Sequence, residues 1–347
     1  MTLLVTGATG YIGRHLCANL TANGHTVAAM LRNGGDFPAL QAHINALGGQ
    51  AQRLQLIAGD LDQPNLGINA LPTDLTAVIH LGARFGWRLP QAAARRTNVD
   101  GSLAVARLAS KTGARLVYAS GFMLQNTDYL TKLGITGDEP DQINWSKVYK
   151  TAGTYEASKL EATLRIRRYT RCARVESVEV QPATIAGSFM SGPLDKSQPL
   201  FELLNNLARG RLAFVPGTPA HWLPLVTVDY VARTLALAAT ADLVPERLLA
   251  LDPATPSLQK LLAAFATAMG IRPPTRHIPK ELLAILLRIP GLPKLMNTWP
   301  EALHFIQPLR FDQDTSAAWL ASHDIRHPCI TEVITTNADA FSAKRTN

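Results

Sequence analysis

The sequence predicts an α/β fold in which a doubly wound parallel sheet is followed by a smaller, mainly helical lobe. Three observations carry this. A short apolar run at residues 3–6 leads into a glycine-spaced turn and then a segment apolar at helical spacing. Four more short apolar runs, at 25–31, 54–58, 77–81 and 115–119, alternate with helical stretches. Past Gly187 that alternation gives way to helices separated by Pro and Gly. At 347 residues and 47% apolar, the chain can bury the core of one large domain or of a larger and a smaller one.

Composition excludes several classes. Charged residues are 17% with no long like-charge runs, which excludes wholesale disorder. The net charge of +8 is spread along the chain and suits an anionic ligand as well as a nucleic acid. No nucleic-acid-binding module accompanies it, and no nucleic-acid partner is expected. Cys17, Cys172 and Cys329 are far apart with no CxxC, so neither a disulfide framework nor a zinc site is expected. The histidines show no HExxH or similar spacing, His80 reads as structural, and no metal is expected. The most apolar stretch, 282–289, contains Arg288 and is cut by Pro290 and Pro293. That is short of the roughly 20 residues of a membrane span. Met1 to Thr6 shows no signal peptide, and the expectation is a soluble, cytoplasmic protein.

Leu3, Leu4, Val5 and Thr6 read as a strand buried on both faces. Gly7, Ala8, Thr9, Gly10, Tyr11, Ile12 and Gly13 follow, then the helical pattern from Arg14 to Leu20, with Gly24 ending it and 25–31 forming the next strand. Glycines at a strand-to-helix turn have a physical use. Gly7 permits the sharp turn, Gly10 lets a pyrophosphate approach the backbone, and Gly13 lets helix and strand pack closely. The anion then meets free N–H groups at the positive end of the helix. The pattern predicts a Rossmann dinucleotide-binding unit, with a glycine-rich turn that holds no ligand as the plainer alternative.

Arg32 ends the second strand, nineteen positions past Gly13. An acid there would accept from a ribose 2′-OH, whereas Arg32 can fork onto a 2′-phosphate, which favours NADP(H). A surface arginine at a strand end is the plainer alternative. Asp60, followed by Leu61, could accept from an adenine amino group or cap the next turn, and both readings stay open. Leu81, Gly82 and Ala83 close the fourth strand, where small residues let a cofactor lie across the carboxyl ends of the strands.

The strand at 115–119 ends at Ser120 and Gly121, and after an excursion over 121–154 comes Tyr155-Glu-Ala-Ser-Lys159. A helix brings i and i+4 onto one face. A free phenol titrates near pH 10, and a nearby ammonium is expected to lower that value. The pair could then hand a proton to a carbonyl oxygen or take one from an alcohol.

These motifs resemble the extended short-chain dehydrogenase/reductases, over nearly the whole chain. The resemblance rests on Thr6 to Gly13 with Tyr155 and Lys159, on Asn98-Val99-Asp100-Gly101, and on Pro182, Ala183, Thr184 and Ile185 with Ala186-Gly187. It rests also on Leu225-Val-Thr-Val-Asp-Tyr-Val-Ala232. The stretch from His80 to Leu108 is similar to the thioester- and acyl-reductase branch, with dihydroflavonol reductases and 3β-hydroxysteroid dehydrogenases also near. The resemblance implies that Tyr155 and Lys159 are the acid–base pair, that Lys159 also holds the nicotinamide ribose, that Asn98 supports the site through a water, and that 182–185 border the nicotinamide. It also implies a homodimer formed through paired helices. The chain departs from the family at one place: the usual catalytic Ser or Thr falls on Gly121, leaving Ser120 as the candidate third member.

The expected domains are 1–187, completed by about 223–252, for the NADP-binding part, and 188–222 with 253–341 for the substrate lobe, with 342–347 a frayed tail. Phe85, Trp87, Phe122, Met123, Phe189, Met190 and Trp222 fall at turns toward the nicotinamide. Together they point to an apolar substrate pocket, although core packing would account for each singly. Arg165, Arg167, Arg168, Arg171 and Arg174 read as a solvated helix face or as a docking patch for an acidic acyl carrier. The expected activity is NADPH-dependent reduction of a hydrophobic ketone, aldehyde or acyl thioester, or the reverse alcohol oxidation. The alternatives are an epimerase or dehydratase that retains its NAD(P), and a non-catalytic NADP-binding protein.

Overall fold

The computed structural model describes residues 1–189 and 194–342. The chain forms two compact units, Met1–Gln181 with Val231–Leu249, and Pro182–Tyr230 with Ala250–Asn347. The division precedes Pro182, ahead of the Gly187 border expected from sequence. Among the described residues no helix is long and apolar enough to cross a membrane.

The first unit begins with β1 (Thr2–Thr6), α1 (Tyr11–Ala22), β2 (Thr26–Leu31), α2 (Phe37–Ala46) and β3 (Leu54–Ala58). It continues with β4 (Leu75–His80), α3 (Gln91–Ala94), α4 (Gly101–Thr112) and β5 (Arg115–Ala119). Then come α5 (Thr127–Leu133), α6 (Trp145–Ala152), α7 (Thr154–Ala173) and β6 (Ser177–Pro182). A seventh strand, Arg247–Ala250, lies beside β6, and the parallel sheet runs seventh–β6–β5–β4–β1–β2–β3. Val5 of β1 stands between Ala29 of β2 and Ile79 of β4.

The inner strands β1, β2, β4 and β5 are largely buried, whereas β3 at the sheet edge is mostly exposed, with Leu56 at 40%. Leu4, Ala28, Val78 and Leu116 share a cluster with Val105, Ala106 and Ala109 of α4 and Ile166 of α7. Leu3 and Val5, on the other face of β1, are also fully buried, as are Leu16 and Cys17 of α1. The chain leaves β1 toward β2 and β3, then crosses back to place β4 on β1's other side. Ligands of such sheets bind at this reversal, outside the carboxyl ends of the strands.

The excursion at 121–154 contains structure that composition alone left unread. Asn126 and Asn144 accept side-chain cap bonds from the Tyr129 and Lys147 amides at 2.9 and 3.1 Å, starting α5 and α6. These short helices pack on α7 through Leu133, Val148, Tyr149, Leu160 and Leu164.

The second unit has its own core, in which Leu200 and Leu204 meet Leu261, Leu262, Phe265, Ile330 and Ile334. Its helices include Pro199–Ala208, Leu258–Ala268, Lys280–Leu286 and Ile330–Ser342. Pro300–Phe305 forms a 3-10 turn. Two-residue ladders join Thr184–Ile185 to Leu225–Val226 and His277–Ile278 to Val215–Pro216.

Candidate active site

The glycine turn closes the gap between β1 and β4. Gly7 has φ +71°, and a Cβ there would lie 2.7 Å from the Gly82 amide nitrogen. A Cβ on Gly13 would lie 2.1 Å from the Gly7 carbonyl oxygen, so α1 can start where it does only with glycine at that place. Gly10 caps α1 with no side-chain bond, and no acid stands in the first turn. The first-turn amides of Tyr11, Ile12 and Gly13 and the positive helix end therefore face a surface on which Thr9 and Gly10 are exposed. A dinucleotide pyrophosphate fits this cradle.

Arg32, just past β2, is exposed and has no partner among the described residues. The neighbouring turn is set by the Asn33 side chain, which accepts from the Gly35 amide at 3.0 Å. Asp60 uses its carboxylate locally, accepting from the Asp62 amide at 3.0 Å, which is the turn-capping alternative left open by the sequence. Leu61 packs against the backbone of Gly82 and Gly101. The Leu81 amide donates to the Thr6 carbonyl at 3.2 Å, the Gly82 amide donates to the Thr6 hydroxyl at 3.2 Å, and Ala83 is exposed.

A buried polar chain ties this edge to α7. The Ser102 hydroxyl donates to the Asn98 carbonyl at 2.6 Å, so it accepts from His80 Nε2–H at 2.8 Å. His80 Nδ1 then accepts from the Thr6 hydroxyl at 2.7 Å. Burial, aided by Lys159, lowers the His80 pKa to about 3, and the ring is neutral, as the expected structural role requires. The Asn98 side chain accepts from the Arg84 amide at 2.7 Å and donates to the Arg84 carbonyl and the Ser158 hydroxyl. Ser158 donates in turn to the Tyr155 carbonyl at 2.7 Å. Asn98 lies in a π-helical turn, Arg95–Asp100, between α3 and α4.

Tyr155 and Lys159 stand one turn apart near the start of α7, both half-buried. Lys159 Nζ donates to the Ala119 carbonyl, the last residue of β5, at 2.7 Å. The Phe85 ring lies edge-on to Tyr155, and Trp87 edge-on to Phe85. Burial lowers the Lys159 pKa to about 8, against a raising influence of Glu179. The phenol differs from the sequence expectation: burial, with Glu156 adding, pushes Tyr155 up to about 12 in place of the lowering expected from the ammonium.

Ser120 points its proton elsewhere, donating to Glu179 Oε1 at 2.6 Å. Gly121 is extended, and a Cβ there would meet nothing within 4 Å. Glu179 is the functional neighbour that sequence reasoning missed. In the sequence it is one of the polar positions, Ser177, Glu179 and Gln181, that alternate with Val178 and Val180.

The aromatic residues fall into two groups. Phe85 is 41% exposed and Phe189 55%, whereas Phe122, Met123 and Trp222 are interior side chains. Trp222 belongs to the second unit's core, where its indole N–H donates to the Leu309 carbonyl at 2.9 Å under the Arg310 guanidinium. Burying so large a ring removes more apolar area from water than lining an open pocket would. Met190 lies outside the described residues. Pro182, Ala183, Thr184 and Ile185 open the second unit, where the buried Thr184 hydroxyl has no partner among the described residues.

The arginines of α7 are matched to acids of their own unit. Arg165 and Arg168 reach Asp141, Arg167 reaches Asp138 and Glu179, and Arg171 reaches Glu139. Four of the five arginines between 165 and 174 thus have acid partners close by.

A seven-stranded parallel sheet flanked by helices, with a glycine turn at the head of its first helix, defines the NAD-binding fold of the extended short-chain dehydrogenase/reductases. Residues 5–235 match the male sterility protein family of NAD-binding domains, and the chain belongs to that family. It is 26% identical over 261 residues to D-lysergyl-peptide-synthetase subunit 3 of Claviceps purpurea, a match covering 69% of this chain and 15% of that protein. It is 25% identical over 239 residues to dihydroflavonol 4-reductase of Hordeum vulgare, covering 66% of this chain and 63% of that one. The chain thus spans less than two thirds of each. Its fold is similar to that of the terminal R domain from the myxalamid PKS-NRPS biosynthetic pathway, with a TM-score of 0.76 at 19% identity, covering 100% of this chain and 91% of that one.

Proposed function

We propose that the protein is an NADPH-dependent reductase acting on a carbonyl of a hydrophobic small molecule: a ketone, an aldehyde or an acyl thioester. The observation that carries this reading is the Tyr155–Lys159 pair at the carboxyl edge of the sheet, with the Lys159 amine bonded to the end of β5 and an aromatic wall of Phe85 against the phenol. The glycine turn and the start of α1 would hold the pyrophosphate, and the exposed Arg32 would hold a 2′-phosphate. Bound NADPH would supply the hydride to the carbonyl carbon.

Tyr155 supplies the proton to the carbonyl oxygen. Its pKa near 12 keeps the phenol protonated throughout the neutral range, which suits an acid in reduction better than a base in alcohol oxidation. Lys159, charged below about pH 8, stabilises the phenolate as the proton leaves. Asn98, through Ser158, holds the backbone of Tyr155 in place. Likeness to a peptide-synthetase subunit and to an R domain favours the thioester among the three carbonyl classes, delivered on an acyl carrier.

Stopped-flow and steady-state loss of NADPH absorbance with a panel of hydrophobic ketones, aldehydes and acyl thioesters tests this. Consumption dependent on both NADPH and carbonyl is the expected result, and its absence over the panel refutes the reading. One observation favours a second reading, a protein that binds NADP without turnover: Gly121 has no side chain and the Ser120 hydroxyl is spent on Glu179. NADPH binding by calorimetry without consumption is its signature.

A further inference from the structure

Glu179 stands in β6 opposite Tyr118 of β5 and is 2% exposed. A carboxylate taken out of water costs several kcal/mol unless its oxygens are paired. Here they are. The Ser120 hydroxyl, Gln181 Nε2 and Arg167 Nη2 donate to Oε1 at 2.6, 2.7 and 3.1 Å. Arg167 Nε and the Tyr118 hydroxyl donate to Oε2 at 2.7 and 3.1 Å. Burial alone would raise this carboxyl, but Arg167, with Ser120 and Gln181, holds it below the usual range, and it is ionised.

Nothing in the sheet requires a charge here, since Val178 and Val180 flank it as ordinary strand residues. Its connections lead to the acid–base pair. Ser120, bonded to Glu179, directly follows Ala119, whose carbonyl receives the Lys159 amine. We propose that Glu179 is a positioning residue: the counter-charge that fixes the charge and place of Lys159 through the Ala119–Ser120 segment, with the Ser120 hydroxyl engaged on it. Its catalytic consequence rests on the function proposed above; its effect on Lys159 does not.

Glu156, nearly one turn before Lys159 on α7, is hydrogen-bonded with Tyr129 and acts on Tyr155, and the other groups around the amine do not supply that charge. His80 of β4 is neutral, with both ring nitrogens committed to Thr6 and Ser102. Tyr118 of β5 and Tyr155 of α7 both keep their protons. Arg167 of α7 has the opposite sign and is forked onto Glu179, with Asp138 as its other partner. Glu179 is the acid that raises Lys159 against the lowering by burial.

The test follows the amine directly. The full chain is labelled with ¹³Cε-lysine, and the Lys159 signal, identified by its loss in Lys159→Met, is titrated with pH by NMR. Glu179→Gln keeps the shape and removes the charge, so the Lys159 midpoint should fall by about one pH unit or more. Simple loosening of the core would move it the other way, toward the solvent value. Should the single variant not fold, Glu179→Gln with Arg167→Gln leaves no uncompensated buried charge, and the midpoint should again fall. An unchanged or raised midpoint in the variant that folds overturns the proposal. The alkaline limb of NADPH-dependent turnover should shift down with the midpoint. A wild-type protein without turnover would defeat the functional reading and leave the titration result standing.

Discussion

The Phe85 ring stands edge-on to the Tyr155 ring, their centroids 4.7 Å apart and their planes at 87°. Phe85 stabilises the phenol ring by contact while leaving its hydroxyl unbonded to any described side chain. Tyr155→Phe therefore keeps the ring contact and removes only the proton donor. Turnover is expected to drop by about 10²–10⁴, with NADPH affinity by calorimetry and the unfolding midpoint nearly unchanged. Wild-type turnover in this variant would exclude Tyr155 as the acid.

The pH dependence of reduction follows from two opposed shifts. Tyr155, raised to about 12, stays protonated across the working range, and Lys159, lowered to about 8, loses its charge within it. Carbonyl reduction is expected to hold steady below pH 7 and to fall as pH rises through about 8. A profile flat to pH 10 would mean that the amine's charge is not used.

Gly121 offers a gain-of-function test. Its backbone is extended and a Cβ would find open space, so serine or threonine fits without strain. Gly121→Ser should change stability by no more than about 0.5 kcal/mol. A hydroxyl aimed at a developing oxyanion is worth up to roughly 10²–10³ in rate, and turnover should rise at least tenfold in the same NADPH assay. No rise would show that the reacting oxygen lies out of reach of this position.

Arg32 is exposed and has no partner among the described residues, so its replacement should not disturb folding. Arg32→Glu removes the phosphate partner and adds repulsion. The ratio of NADPH to NADH affinity should fall by about 10–100-fold, the equivalent of one charged hydrogen bond. An unchanged ratio would make Arg32 a plain surface residue.

Gly13→Ala places a methyl 2.1 Å from the Gly7 carbonyl oxygen, a backbone atom that cannot step aside cheaply. A loss of about 1–3 kcal/mol or more is expected, read as a lowered thermal midpoint and weakened dinucleotide binding. Gly24→Ala is the steric control: φ is +85° but a Cβ meets nothing within 4 Å, so only backbone strain is added.

Much of the fold was legible because its signals are local. The glycine turn is dictated by backbone clearance within a few residues, and the Tyr155–Lys159 spacing by one helical turn. The helix Ile330–Ser342 carries its signal in the same local way, with Ile330, Val333, Ile334 and Ala338 buried along one side. What was not legible depends on which way a side chain faces. Phe85 and Trp222 read alike in sequence, yet one is 41% exposed and the other 1%. Glu179 reads as an outward polar residue in a strand, and only the packing of α7 on β6 shows that Arg167 and Ser120 close over it. The ion pairs of the α7 arginines were not legible because their acids, at 138–141, come from a separate segment.

The widened coil at Arg95–Asp100 has an evolutionary and engineering consequence. A π-helical turn houses one residue more than the ordinary spiral, and each residue of an α-helix advances the screw by about 100°. Deleting a single amino acid from this stretch would restore a regular helix while swinging Asn98 about a quarter revolution away from both Arg84 and Ser158. Such a shortened chain could keep its sheet and still lose the brace beneath its phenol, so length changes here should be far less tolerated than substitutions on the same rungs.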